Sequence, residues 1–259
     1  MKKLAYLVLA VALFSSCSAL SNINWDAEKL TSAAGKAATA ASITDDQIVQ
    51  LCAQSIAQLD AQNTIDNGTY YKRMARLLKN VSVPGLNLNC KVYKKDEINA
   101  FASGDGSIRV YSGLMDVMSD NELMAIIGHE IGHVVHKDTK RAMKQAYLNS
   151  ALVDAIGSAG NIGAVSSALM GNLAESYFNS QFSQKQEFAA DEYGFEFSVN
   201  NGFSPYSMSD ALNKLVSLNQ STPSKLQQMF SSHPDSALRA QKMRAKAESY
   251  VYTQENKGQ

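Results

Sequence analysis

The chain has 259 residues, enough for one catalytic domain with a sizeable core, and 45% of them are hydrophobic, an ordinary globular share. Lys+Arg and Asp+Glu balance at 24 each. That balance leaves no electrostatic footprint for a nucleic acid or another polyanionic partner.

At the start of the chain, Lys2 and Lys3 precede an apolar run from Leu4 to Phe14, then Ser15, Ser16 and Cys17. A basic start, a short greasy segment and small residues read as a secretory signal, too short to span a membrane comfortably. The Ser-Ser-Cys ending resembles a bacterial lipobox, with Phe14 where Leu is usual. Cys17 then becomes the lipidated first residue of the mature chain. The expectation is an exported bacterial lipoprotein that faces the periplasm and is attached to the outer membrane. Residues 1–17 are its signal and lipobox, 18–43 a flexible tether rich in Ala, Ser and Asn, and 44–259 the folded domain. Lipidating Cys17 leaves Cys52 and Cys90, which in an oxidising compartment form either a disulfide or two separate buried thiols.

Thr44 or Asp45 caps a first helix whose shared face carries Ile48, Leu51, Cys52, Ser55 and Leu59. A second helix is expected around Tyr70–Asn80, and Pro84-Gly85 breaks the pattern. Leu86, Leu88, Cys90 and Val92 alternate with polar neighbours, as in a half-buried strand. Glu97–Ser103 and Ser107–Tyr111 read as two more strands, joined through a Gly104-Asp105-Gly106 hairpin turn. Everything after Ser119 reads as helix and loop. Residues 151–174 carry no charge beyond Asp154, but their four Gly, three Ser and two Asn suit a helical hairpin or loop better than a membrane span. The fold class is α+β, mainly helical, with a small three-stranded sheet packed on several helices.

The chemistry is concentrated on one predicted helix. Ser119 and Glu122 form a capping box at its start, and Leu123, Ile126, Ile127 and Val134 supply its buried face. His129-Glu130-Ile131-Gly132-His133 follows. Residues four apart stand one turn above each other, so both imidazoles point the same way and can share one cation. Glu130 is rotated off that stripe, close enough to take a proton from the attacking water. A catalytic zinc needs a third protein ligand. Thr139 stands where the metzincin pattern has its third His, which excludes that class. Glu187, on a second predicted helix running to about Asn200, is the better candidate. Asp191, one turn on, would accept the second ring proton of His129 and fix its tautomer.

These motifs resemble the heat-shock membrane protease and CAAX-prenyl protease superfamily of zinc metallopeptidases, especially its soluble branch of envelope lipoproteins. The matches run in order from Asn99-Ala100-Phe101-Ala102 and Gly106–Gly113 through His129–His133 and Glu187–Asp191 to Ser232-His233-Pro234, covering roughly Asp46–Glu248. The resemblance implies a gluzincin-like domain, with His129, His133 and Glu187 as ligands of one Zn2+ per chain and Glu130 as catalytic base. It also implies Asn99, Ala100, Phe101 and Ala102 as the edge strand on which a peptide aligns by main-chain pairing. His233 is implied to face the cleft, either stabilising the oxyanion or blocking the open metal position, with Arg239 adding positive charge nearby. His136, next on the ligand stripe, reads as a structural hydrogen-bonding residue. Pro234 would stiffen the turn that carries His233, and Asp235 would start the last helix, Ser236–Ser249.

The function expected from the sequence is a zinc-dependent endopeptidase acting on misfolded or unassembled envelope proteins. The alternative is a zinc-binding chaperone or assembly factor with low or latched proteolysis. A third reading, a metal that only staples helices, would require a closed four-ligand site. The oligomeric state is left open.

Overall fold

The computed structural model describes residues 43–150, 167–234 and 236–257. The signal, Cys17, most of the tether, 151–166 and Asp235 lie outside the described residues.

Helix α1 (Asp45–Gln62) begins at a full capping box: Thr44 Oγ1 accepts from Gln47 N, and Gln47 Oε1 accepts from Thr44 N at 2.9 Å. Its buried face is Ile48, Leu51, Cys52, Ser55 and Ile56, so Ile56 takes the place expected of Leu59, which is only half-buried. Helix α2 (Thr69–Leu77) stops short of the expected Asn80.

The first strand begins later than the alternation suggested. At Pro84-Gly85 the backbone turns, with Gly85 at φ 75° and Leu86 N bonded to Val83 O, so Leu86 and Leu88 precede β1 (Asn89–Tyr93). Strand β2 shrinks to Ala100–Ala102, because Ile98 N donates to Lys225 O instead of extending the ladder. Strand β3 (Ser107–Tyr111) matches its expected bounds and lies in the middle, in the order β1-β3-β2. It runs parallel to β1 and antiparallel to β2. The hairpin between β2 and β3 turns at Gly106, φ 90°, where a Cβ would come within 2.5 Å of Asn87 O. Strand β2 is thereby left at the sheet edge. The buried Arg109 side chain, on β3, ties the sheet to α1 through both oxygens of Asp60.

The remaining described elements are helical: α3 (Ser112–Val117), α4 (Asp120–Val135), α5 (Asp138–Asn149), α6 (Ser167–Phe178), α7 (Gln184–Asn200), α8 (Ser207–Ser221), α9 (Pro223–Ser232) and α10 (Ser236–Asn256). The result is the expected α+β, mainly helical arrangement with a small three-stranded sheet. Among the described residues, no helix is long and apolar enough to cross a membrane.

The disulfide considered from the sequence is not formed: both cysteines are free. Cys52 belongs to a cluster with Met143, Tyr147 and Leu173, whereas Cys90 packs on the main core beside Met74 and Leu78. Burial pushes both thiols up to about 11, so neither is a reactive nucleophile at neutral pH.

Helix α4 is buried almost throughout and crosses α7 at small residues. A Cβ on Gly128 would lie 3.0 Å from Gly194 Cα, one on Gly132 would lie 3.1 Å from Ala190 Cα, and one on Gly194 would lie 2.8 Å from Ala125 O. The two backbones therefore touch, and neither can retreat without moving a core helix. Alanine ordinarily gains about 1 kcal/mol over glycine inside a helix. Here overpacking outweighs that gain, so Gly194→Ala should destabilise the metal-free protein by about 1–2 kcal/mol. Urea unfolding measures it, and a stability equal to or above wild type would refute the tight crossing.

Candidate metal centre

The α4–α7 crossing brings the two predicted motifs together. His129 and His133 project from one stripe of α4, and their Nε2 atoms stand 3.1 Å apart. Each ring is fixed from behind. His129 Nδ1 lies 2.9 Å from Asp191 Oδ1 on α7, and His133 Nδ1 lies 3.0 Å from Asp138 Oδ2 at the start of α5. A carboxylate only accepts, so each Nδ1 carries hydrogen, and each ring in its neutral form turns an Nε2 lone pair inward. Two lone pairs at that separation repel unless positive charge lies between them.

Glu187 completes the arrangement. Its Oε2 is 3.7 Å from His129 Nε2, and its Oε1 is 3.4 Å from His133 Nε2. His233, just after α9, places Nδ1 3.3 Å from His129 Nε2 and 3.0 Å from Glu187 Oε1. These four buried side chains offer donor atoms all within 4.8 Å of one another and could hold a metal ion. A tetrahedral zinc with bonds near 2.0–2.1 Å sets its donors about 3.3–3.4 Å apart. The spacing and the N/O chemistry of the set both fit such an ion.

The electrostatics point the same way. Burial lowers the His129 pKa, against the pull of Asp191. Burial also opposes charge on His133, but Asp138 and Glu187 overcome it and raise that imidazole to about 9. Surroundings that favour a positive charge on this ring also favour a cation beside it. Burial opposes charge on Glu187 too, yet His233 and His133 hold it far below the carboxylate range. Asp191 is likewise lowered against its burial, chiefly by Arg239 and then by His129.

Arg239 brings positive charge near His233, with Nη1 3.4 Å from Pro234 O. Its buried guanidinium is committed to two carboxylates, with Nη1 2.5 Å from Glu187 Oε2 and Nε and Nη2 on the two oxygens of Asp191. It neutralises the acids that frame the site. Glu130 is buried on the cleft wall, with Oε1 3.7 Å from His233 Nε2. Asn99, Ala100, Phe101 and Ala102 line the same cleft, together with Tyr177, Phe178, Phe182 and Gln228. His136 sits outside the cluster: its ring meets Tyr193 edge-on, and its Nδ1 has no hydrogen-bond partner, contrary to the role expected of it.

Asp138 was not anticipated. It reaches back to His133 because Lys137 adopts a left-handed conformation, φ 61°, which reverses the chain between α4 and α5. A lysine in that conformation gives no sequence signal. Gln186 Nε2, at 2.8 Å, and Arg141 hold the other oxygen of Asp138. Phe182 was also missed; its ring stacks on His133 at 4.0 Å between centroids.

The profile described as Peptidase family M48 matches residues 65–247. The chain is 41% identical over 226 residues to Metalloprotease LoiP of Escherichia coli strain K12, covering 85% of this chain and 88% of that protein. It is 33% identical over 248 residues to Metalloprotease YcaL of the same strain, covering 94% and 96%. The Beta-barrel assembly-enhancing protease of that strain is 36% identical over 131 residues, 47% of this chain and 26% of that protein.

Removing Arg239 would strand two buried carboxylates. Arg239→Met should therefore cost the metal-free protein about 3–5 kcal/mol, read by urea unfolding in excess chelator. A loss within about 0.5 kcal/mol, as for an ordinary surface substitution, would mean that Asp191 and Glu187 do not depend on it.

Proposed function

The chain belongs to peptidase family M48 and is a metalloprotease, and we propose that it is a zinc-dependent endopeptidase with one Zn2+ per chain, held by His129, His133 and Glu187. The observation that carries this reading is the pair of inward-facing Nε2 atoms, 3.1 Å apart, with a Glu187 oxygen 3.4 Å from the second. Zinc held by these three residues would supply Lewis acidity, lowering the pKa of a water towards neutrality and polarising the scissile carbonyl. Glu130, one residue along α4 from His129, takes the proton of the attacking water and delivers it to the leaving amine. Asp191 and Asp138 act through the rings they hold, keeping both Nε2 lone pairs directed inward.

Strand β2 aligns the substrate. Asn99 O and Ser103 N bond to β3, and Phe101 pairs with Arg109, so the main-chain groups of Ala100 and Ala102 face the free edge. An extended peptide can add there as one more strand. Unfolded or misassembled envelope proteins fit this mode, because an unfolded chain offers extended backbone. The name of the Beta-barrel assembly-enhancing protease is consistent with that substrate class. The lipobox-like Ser-Ser-Cys ending supports placement on the periplasmic side of the outer membrane, through a lipid on Cys17.

His233 Nδ1 hydrogen-bonds Glu187 Oε1 at 3.0 Å, and with that proton displaced it would take the fourth position of the donor set, the one that catalysis needs for water. We read it as a latch that swings away during turnover. The same contact supports the alternative function, a zinc-binding chaperone or assembly factor whose proteolysis stays low. The opposing role for His233, oxyanion stabilisation, draws support from its place on the cleft wall near Glu130.

Metal analysis and casein hydrolysis on one set of variants test these assignments. The protein should hold about one zinc, and His133→Ala or Glu187→Gln should lose it. Glu130→Gln should keep the zinc and lose about a hundredfold to ten-thousandfold in rate. Zinc-loaded His233→Ala should be more active than wild type if His233 is a latch, and about a hundredfold less active if it stabilises the transition state. Full zinc and full activity in Glu187→Gln would remove Glu187 from the ligand set.

A further inference from the structure

Helix α6 ends at Phe178, and its last two residues, with the chain from there to α7, pass along the cleft. Its contacts clasp both walls. The Tyr177 hydroxyl donates to Ala102 O, one of the main-chain acceptors on the free edge of β2. The Phe178 ring stands edge-on to Phe101 with centroids 4.2 Å apart, and Gln228 Nε2 donates to Phe178 O at 2.8 Å. Phe182 N donates to Ser232 O at 3.1 Å, beside the His233 turn, while its ring covers His133.

The room left in the cleft is about 30 Å³, enough for a water or two. Ligand sites usually start at about 300 Å³. Beyond Phe178 lies a hollow of about 570 Å³ between α1, α6 and the sheet, which shares Asn99, Phe178 and Gln228 with the cleft. Displacing Phe178 would join the two. A second acceptor points to an absent donor: Asn99 Oδ1 is buried and has no partner. A buried acceptor without a donor costs free energy that an incoming N–H recovers.

We propose that Tyr177–Phe182 is an autoinhibitory strap, which takes the place of a substrate strand on the β2 edge and must be displaced before an extended peptide can reach the metal centre. The proposal rests on the reading of β2 as the substrate-aligning strand. In the closed state the Tyr177 phenol satisfies Ala102 O; in the open state a peptide N–H does. The protease then rests shut and opens for segments able to offer a run of main-chain hydrogen bonds, which folded proteins keep mostly paired. This closure is separate from the His233 contact, because it acts on the substrate's backbone and not on the metal's fourth position.

The test uses the zinc-loaded full chain carrying Glu130→Gln and a fluorescein-labelled, extended casein peptide. Adding Tyr177→Phe keeps the ring and deletes one hydrogen bond, so the peptide Kd should fall by about twofold to tenfold. In the chain with Glu130 intact, kcat/KM should rise by a similar factor. Gln228→Ala, which frees Phe178 O, should shift both in the same direction and serves if Tyr177→Phe does not fold. Unchanged or weaker binding in both variants overturns the strap. A fall in kcat with Kd unchanged also overturns it, because Tyr177 would then be assisting the reaction. Peptides N-methylated at alternate residues separate the two layers of the reading. If methylation leaves Kd unaltered, pairing on the β2 edge is wrong; if it weakens binding while Tyr177→Phe matches wild type, only the strap is wrong.

Discussion

The site depends on how closely α4 can approach α7. Glycines at 128, 132 and 194, with Ala190, let the two backbones meet with almost no side chain between them. At that separation Glu187 and Asp191 reach the imidazole of His129 directly, and Glu187 also reaches His133. A Cβ at Gly128 would press on Phe197 and Gly194, and one at Gly194 on the backbone of Ala125. Side chains there would force the helices apart, and the carboxylates would lose their reach. A packing constraint at the core of the domain thus sets the geometry of its chemistry.

That geometry creates an electrostatic demand. Four carboxylates, Glu130, Asp138, Glu187 and Asp191, are buried around three imidazoles, those of His129, His133 and His233. Arg239 answers two of them with three short contacts. Arg141 and Gln186 share Asp138. The remaining negative potential falls where two histidine lone pairs converge. Burying charges is costly unless they are paired, so positive charge at its centre stabilises a site of this kind. In a metalloprotease that charge is a divalent cation, whose affinity rises with each oriented ligand.

How much of this was legible in the sequence follows from the range of the interactions involved. The His129–His133 pair was readable because a helix fixes side chains four apart, and the Ser119–Glu122 capping box marked where that helix begins. Asp191 was readable for the same reason once Glu187 was chosen, since the two share one face of α7. The sheet was only partly readable: alternation identified strand-forming residues, but the turn at Pro84-Gly85 and the Ile98–Lys225 bond trimmed two strands. The parallel pairing of β1 with β3 has no local signature. Asp138 depended on a left-handed Lys137, and Arg239's role on helix α10 docking beside α7, so neither followed from spacing. The cysteine count suggested a bridge, but counting cannot tell that Cys52 and Cys90 lie in different clusters.

On the proposed function, the two crossed helices present a nitrogen- and oxygen-only set to one zinc ion. X-ray absorption at the zinc edge of the loaded protein measures that set directly. Four or five N/O scatterers near 2.0–2.1 Å are expected, with multiple-scattering features of at least two imidazoles. In Glu187→Gln the signal should be lost or show additional solvent oxygens. A sulfur shell near 2.3 Å, or a spectrum unaffected by substituting Glu187, would contradict it.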